Sequence, residues 1–181
     1  MKKIFFYVHI FLLLCGNVFS ESIKTDSKLN KLFDQLKKTN NTSVALDIEM
    51  QIWNVWSTHP TKNELTELLT IGSNLMSMGD LESAYEIFSE IVHSEPHWAE
   101  GWNKRATVLY LMGRYEDSLR DIDEVLKRES RHFGALSGQG LVHTKLKNYE
   151  KAIKSYETVQ KIYPSISSAK VMIPQLKKII K

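Results

Sequence analysis

Residues 72–96 read GSNLMSMGDLESAYEIFSEIVHSEP, and the chain repeats their layout twice more at an offset of 34 residues. Gly72, Ala84, Phe88 and Pro96 return as Ala106, Ser118, Ile122 and Ser130, and again as Gly140, Ala152, Tyr156 and Pro164. The turn at Gly79-Asp80 returns at Gly113, and a third time as Lys147-Asn148. A period of this length marks one supersecondary unit stacked on copies of itself, with each unit supported by its neighbours. Three windows carry it: 65–98, 99–132 and 133–166.

Each window holds two apolar stripes at helical spacing around a short turn. In the first window Leu65, Leu68, Leu69, Ile71 and Leu75 make one stripe, and Leu81, Ala84, Ile87, Phe88 and Ile91 the other. Gly79 suits the left-handed residue that ends a helix. Asp80 then offers a capping oxygen to the next helix, with Glu82 in its first turn. Gly113 and Glu116 repeat this arrangement. In the third window Asn148 is the residue expected to cap and to tolerate the left-handed region, followed by Glu150. Small residues (Gly72, Ala106 and Gly140 in the first helices, Ala84, Ser118 and Ala152 in the second) allow close approach. Phe88, Ile122 and Tyr156 fill the space opposite, as dense packing requires.

At these residues the chain resembles the tetratricopeptide repeat family. The family pattern W-x2-L-G-x2-Y, A-x3-F, P reads here as Leu68, Ile71, Gly72, Leu75, then Ala84, Phe88 and Pro96. The second unit gives Trp102, Arg105, Ala106, Leu109, Ser118, Ile122 and Ser130. The third gives Leu136, Gln139, Gly140, His143, Ala152, Tyr156 and Pro164. The resemblance covers 65–166 and extends to small secreted bacterial members of the family. It implies an all-α, right-handed solenoid of antiparallel helix pairs whose concave groove is lined by the first helix of each repeat. By phase those positions are Thr66, Leu69, Ser73, Met76 and Ser77; then Glu100, Asn103, Thr107, Tyr110 and Leu111; then Gly134, Ser137, Leu141, Thr144 and Lys145. Small hydrogen-bonding groups interleaved with Leu, Met and Tyr suit an extended peptide or a helix better than an anion. Family members that clamp a C-terminal carboxylate carry basic groove residues in successive repeats, and only Asn103 and Lys104 match that set.

The flanks read as caps. Lys28 to Lys38 carries Leu29, Leu32, Phe33 and Leu36 on one face, Asn40 to Ser43 is a turn, and Val44 to Trp56 carries Val44, Leu46, Ile48, Ile52, Trp53 and Trp56. This N-terminal hairpin with its linker (21–64) is out of phase with the period and is expected to cover the first repeat. Residues 167–181 are expected to form a capping helix, with Pro174 kinking or breaking it.

Residues 1–20 have the layout of a secretory signal peptide: Lys2 and Lys3, an apolar stretch from Ile4 to Leu14, and Val18-Phe19-Ser20 before a cut at Glu21. The apolar stretch falls short of the ~20 residues a spanning helix needs, so the mature form is not expected to cross a membrane. Periplasmic export is the expectation. Lipid attachment at Cys15, the only cysteine, is the minor alternative because Leu14 is not small. Cleavage leaves no cysteine, and 22 basic against 21 acidic side chains. That balance does not suggest nucleic acid.

Nothing in the sequence assembles an acid, a base and a nucleophile, so no enzyme is expected. His93 and His97 have the spacing of a zinc pair but flank Pro96, and no cysteine assists them, so no metal or cofactor is expected. Leu136 to Gly140 is glycine-rich but lacks the Lys-Ser/Thr of a phosphate loop. Arg105 occupies an apolar slot of the pattern, which calls for a structural ion pair with Asp121 or Asp123 on the facing helix. Trp102 is expected in the core and Trp98 at a partly exposed junction. The function these readings imply is a protein-binding adaptor of the bacterial envelope. The alternative is a homo-oligomeric structural module assembled through its C-terminal helix.

Overall fold

The structure, a computed structural model, describes residues 25–181. The signal-like segment 1–20, Cys15 and the Glu21 cut site lie outside it. All regular structure among the described residues is helical: α1 over 25–38, α2 Thr42–Ser57, α3 Asn63–Ser77, α4 Leu81–Ser94, α5 Ala99–Leu111, α6 Tyr115–Arg128, α7 Phe133–Lys145, α8 Tyr149–Ile162 and α9 Ser167–Ile179. From α3 onward each helix packs on the next, which gives three antiparallel pairs and a seventh helix stacked on the last.

The turns inside the pairs share one geometry. The amides of Asp80, Arg114 and Asn148 donate to the carbonyls of Leu75, Leu109 and His143 at 3.0, 2.8 and 2.8 Å. This is the six-to-one bond of a helix-ending motif whose preceding residue must be left-handed. Gly79 and Gly113 supply φ values of 86° and 77°. In the third turn the left-handed residue is Lys147 (φ 59°), not Asn148 as the sequence suggested. The hydrogen-bond register decides the position, and Asn148 falls one residue too late. Lys147 therefore carries a backbone strain that the two glycines avoid. Lys147→Gly should raise stability by about 0.5–1 kcal/mol, read as a higher urea midpoint at unchanged slope. Asp80 accepts from the Ser83 amide at 3.2 Å, whereas Arg114 and Asn148 make no side-chain cap.

The small residues meet their large partners as packing demands. A Cβ on Gly72 would lie 2.7 Å from Phe88 Cε1, and one on Gly140 would lie 2.6 Å from Tyr156 Cζ. Ser118 lies buried and donates its hydroxyl to the Ala106 carbonyl at 2.8 Å. Leu65, Leu69, Phe88, Ile91, Trp98 and Val108 form the first core cluster, and Ala106, Ile122, Val125, Ala135 and Val142 the second.

The N-terminal hairpin does not cover the first repeat. Its residues Leu29, Phe33, Leu36, Ile52 and Trp56 join one cluster with Phe133, Leu136, Tyr156 and Tyr163 of the third repeat. Trp56 stacks on His132 with centroids 3.9 Å apart and planes 10° off parallel, and its backbone carbonyl accepts from Trp98 Nε1 at 2.9 Å. Tyr163 donates to Glu49 at 2.9 Å and Arg131 to Asn30 at 2.7 Å. The short linker 58–62 sets α2 beside the starts of α5 and α7, where Trp56 meets Trp98 and His132.

Other expectations are corrected in detail. Ile71, Val44 and Leu46 are exposed rather than core. Trp98 is buried, while Trp102 is half-buried at the surface with the Arg105 and Arg128 guanidiniums each 5.0 Å from its ring. The helix α9 runs on through Pro174 without a break. Pro174 is exposed there, so the missing backbone bond falls on the solvent side.

Candidate functional site

Between α5 and α7 the stacked helices leave a cavity of about 190 Å³. Ala106, Ser118, Ile122 and Val142 line it, together with Asn103, Thr107, Tyr110, Gly134, Ala135, Ser137, Gly138 and Leu141. Gly138 leaves room on this side: a Cβ there would meet only Ile122 Cδ1, at 3.7 Å, an ordinary contact distance. Thr107 donates to the Asn103 carbonyl at 2.9 Å, and Ser137 and Ser168 share a hydrogen bond of 3.2 Å. Tyr110 leans on Tyr115 with centroids 5.6 Å apart. No charged side chain lines the cavity.

Of the groove positions read from the sequence, the structure brings Asn103, Thr107, Tyr110, Ser137 and Leu141 together around this cavity. Thr66, Ser73, Met76 and Thr144 lie outside it. Thr66 accepts from the His59 amide at 2.9 Å, Ser73 donates to the Leu69 carbonyl, Met76 packs on the first core cluster and Thr144 donates to the Gly140 carbonyl. Leu69, expected to face the groove, is a core residue at 3% exposure. Glu100 is not in the groove either. It is fully buried, takes His132 Nε2 at 3.1 Å and lies 3.5 Å from Lys104 Nζ. Asn103 also donates to the Glu100 carboxylate, at 3.2 Å. The His132 Nδ1 accepts from the Ala135 amide at 3.1 Å, so Nε2 carries the proton donated to Glu100. The docked hairpin packs over this end of α5 and α7, with Trp56 stacked on the His132 that holds Glu100. Sequence reasoning missed Gly138 as the opening of the cavity. The signal for it was present: a small residue two positions before the repeat's close-approach slot at Gly140.

Arg105 pairs with Asp121 in two-pronged fashion, Nε to Oδ2 at 2.7 Å and Nη2 to Oδ1 at 2.8 Å. This hydrogen-bonded partner raises the guanidinium's pKa above its ordinary value, against the opposing effect of burial. Asp123, the other candidate, is exposed, and the ion pair of Arg105 is with Asp121 instead. The slot has counterparts in the other repeats: Gln139 accepts from Ser155 at 2.8 Å, and Ile71 and Ile87 stand at the same phase in the first.

Two histidines give the molecule a pH dependence. Burial lowers the pKa of His59, opposed by Glu95 and helped by Lys62, and burial with Lys151 lowers that of His143. Both are held neutral in the fold, so the unfolded chain binds more protons below the ordinary histidine pKa of about 6.5. Stability should be full above that value and decline as pH falls from about 7 to 5. The double variant His59→Asn, His143→Gln should flatten that slope in thermal unfolding followed across the same range.

A family model described as tetratricopeptide repeat matches residues 103–165. A TPR repeat-containing protein of Rhizobium etli is 31% identical over 149 residues, spanning 82% of this chain and 72% of that protein. Among solved structures, the first tetratricopeptide repeat domain of Spaghetti (RPAP3), bound to the HSP90 peptide SRMEEVD, superposes with a TM-score of 0.62 at 17% identity, covering 64% of this chain and 92% of that one. The Yersinia enterocolitica type III secretion chaperone SycD, in complex with a peptide of the translocator YopD, gives a TM-score of 0.62 at 11% identity, covering 67% and 98%.

Proposed function

Because this chain belongs to the tetratricopeptide repeat family, we propose that it is a non-enzymatic adaptor that holds an extended segment or helix of another protein between α5 and α7. The observation that carries the reading is the uncharged cavity with Thr107, Tyr110, Ser137 and Leu141 at its walls. Its size suits one large apolar side chain, with hydroxyls at the rim to meet a partner's backbone. The peptide in the Spaghetti complex ends in acidic residues, whereas this lining offers no lysine or arginine, so the occupant here is neutral and apolar at its anchor. The segment 1–20 supports placing this adaptor outside the cytoplasm, in the periplasm of a bacterial envelope. An intact mass beginning at Glu21 would agree with that placement, and a retained Met1 or a lipid on Cys15 would not.

Gly138→Phe tests the groove. A Cβ at Gly138 meets no atom closer than 3.7 Å and faces the cavity of about 190 Å³, so the fold should persist, with thermal unfolding close to that of the unmodified protein. Proteins cross-linked to the chain in the envelope should be lost from the variant. Undiminished recovery by a folded Gly138→Phe protein would overturn the reading.

A further inference from the structure

In the second and third repeats, one face of the first helix is covered by the preceding helix pair. A Cβ on Gly101 would lie 2.8 Å from Ile91 of α4, and Val108, Ala135 and Val142 on the same face are buried. The equivalent face of α3, one period earlier, is Glu64, Glu67, Ile71, Asn74 and Met78, and all five are exposed. Ile71 is 48% and Met78 81% exposed, because the hairpin docks elsewhere. The other end is open too. The helix α9 sits where the first helix of a fourth repeat would sit, with Ala169 and Leu176 buried at the repeat phase. The face it would turn to its own second helix, Lys170, Val171, Pro174 and Lys178, is exposed.

The two open ends are opposite in charge. Residues 63–98 hold seven acidic side chains and no lysine or arginine, whereas 133–181 hold nine lysines and two glutamates. Each end thus combines uncovered apolar groups with a net charge of one sign, and the complement of each lies on the other end of the same chain. We propose that the protein self-associates head to tail, α9 of one copy docking on the open face of α3 of the next. The contact is heterologous, so assemblies lengthen with concentration and end only where the rotation closes a ring. It uses none of the residues around the α5–α7 cavity.

Sedimentation velocity of the purified protein tests this. The average mass should rise with concentration at about 50 mM salt and fall to the monomer at about 500 mM, where exposed charges are screened. Glu64→Lys with Glu67→Lys makes the open face of α3 basic like that of α9, and Lys170→Glu with Lys178→Glu makes the open face of α9 acidic like that of α3. Each double variant alone should remain monomeric, and an equimolar mixture of the two should associate again. A protein that is monomeric at every concentration and salt, or a mixture that fails to associate, would overturn the proposal. So would α9-dependent binding to vesicles rich in anionic lipid by a protein that stays monomeric, since the basic end would then serve a membrane.

Discussion

Trp56→Ala should lower stability by about 3–5 kcal/mol and release the N-terminal hairpin from the solenoid. Trp56 is 6% exposed and touches every element of the junction: His132 face to face, Phe133 at 4.9 Å, Phe33 at 5.9 Å and Trp53 at 5.4 Å between ring centroids. Removing the indole leaves a cavity among rings too large to collapse around it. It also uncovers His132, on which the ring stacks, and so loosens the buried His132–Glu100 hydrogen bond. Amide exchange should locate the loss, with protection falling across 25–57 and at the start of α7 while α3 and α4 stay protected. Trp56→Phe is the informative control. The indole Nε1 is buried without an acceptor, so phenylalanine removes an unmatched donor along with part of the packed area. Its cost should be well below that of alanine. Equal losses for the two variants, or unchanged protection in α1 and α2, would show that the junction is held by something else.

Arg105→Ala should cost about 3 kcal/mol, because Asp121, only 6% exposed at its side chain, would lose its two-pronged partner. The remaining exposure of Arg105, 18%, keeps the effect at the lower end of what buried pairs show. Arg105→Leu alone still strands the carboxylate and should recover little. Arg105→Leu with Asp121→Leu should recover most of the stability, since well-packed apolar residues can replace a buried ion pair. The other repeats fill this phase without charge, the first with Ile87 and an exposed Ile71, the third with a neutral hydrogen bond. Chemical denaturation of the unmodified protein and these three variants decides it. A neutral Arg105→Ala would remove the pair from the structural account.

The Arg105 pair was legible in the sequence because the period names the slot. Sixteen residues separate Arg105 from Asp121, the same interval that separates Gln139 from Ser155. The small–large packing and the two glycine turns were legible for the same reason, being local or repeated. The left-handed Lys147 was not, because composition alone favours the neighbouring asparagine and only the hydrogen-bond register separates them. The hairpin's docking site was illegible for a deeper reason. Its contacts join residues 101 and 114 positions apart, such as Asn30 with Arg131 and Glu49 with Tyr163, and residues outside the period have no phase to place them. That single omission accounts for the misreading of Glu100 as a groove residue. Leu69 failed differently: the groove phase was applied to a position whose neighbours turn it toward Leu65 and Phe88.

The central claim is that another protein's segment lies between α5 and α7. A photo-reactive phenylalanine analogue placed at Leu141, which is 41% exposed at the cavity wall, tests it most directly in living cells. The same analogue at exposed Asp123 on α6 serves as the reference. The account predicts that light yields a discrete adduct with a second polypeptide from position 141, absent from position 123 and lost when Gly138→Phe fills the cavity. Adducts of equal yield from both positions, or none from 141, would contradict it.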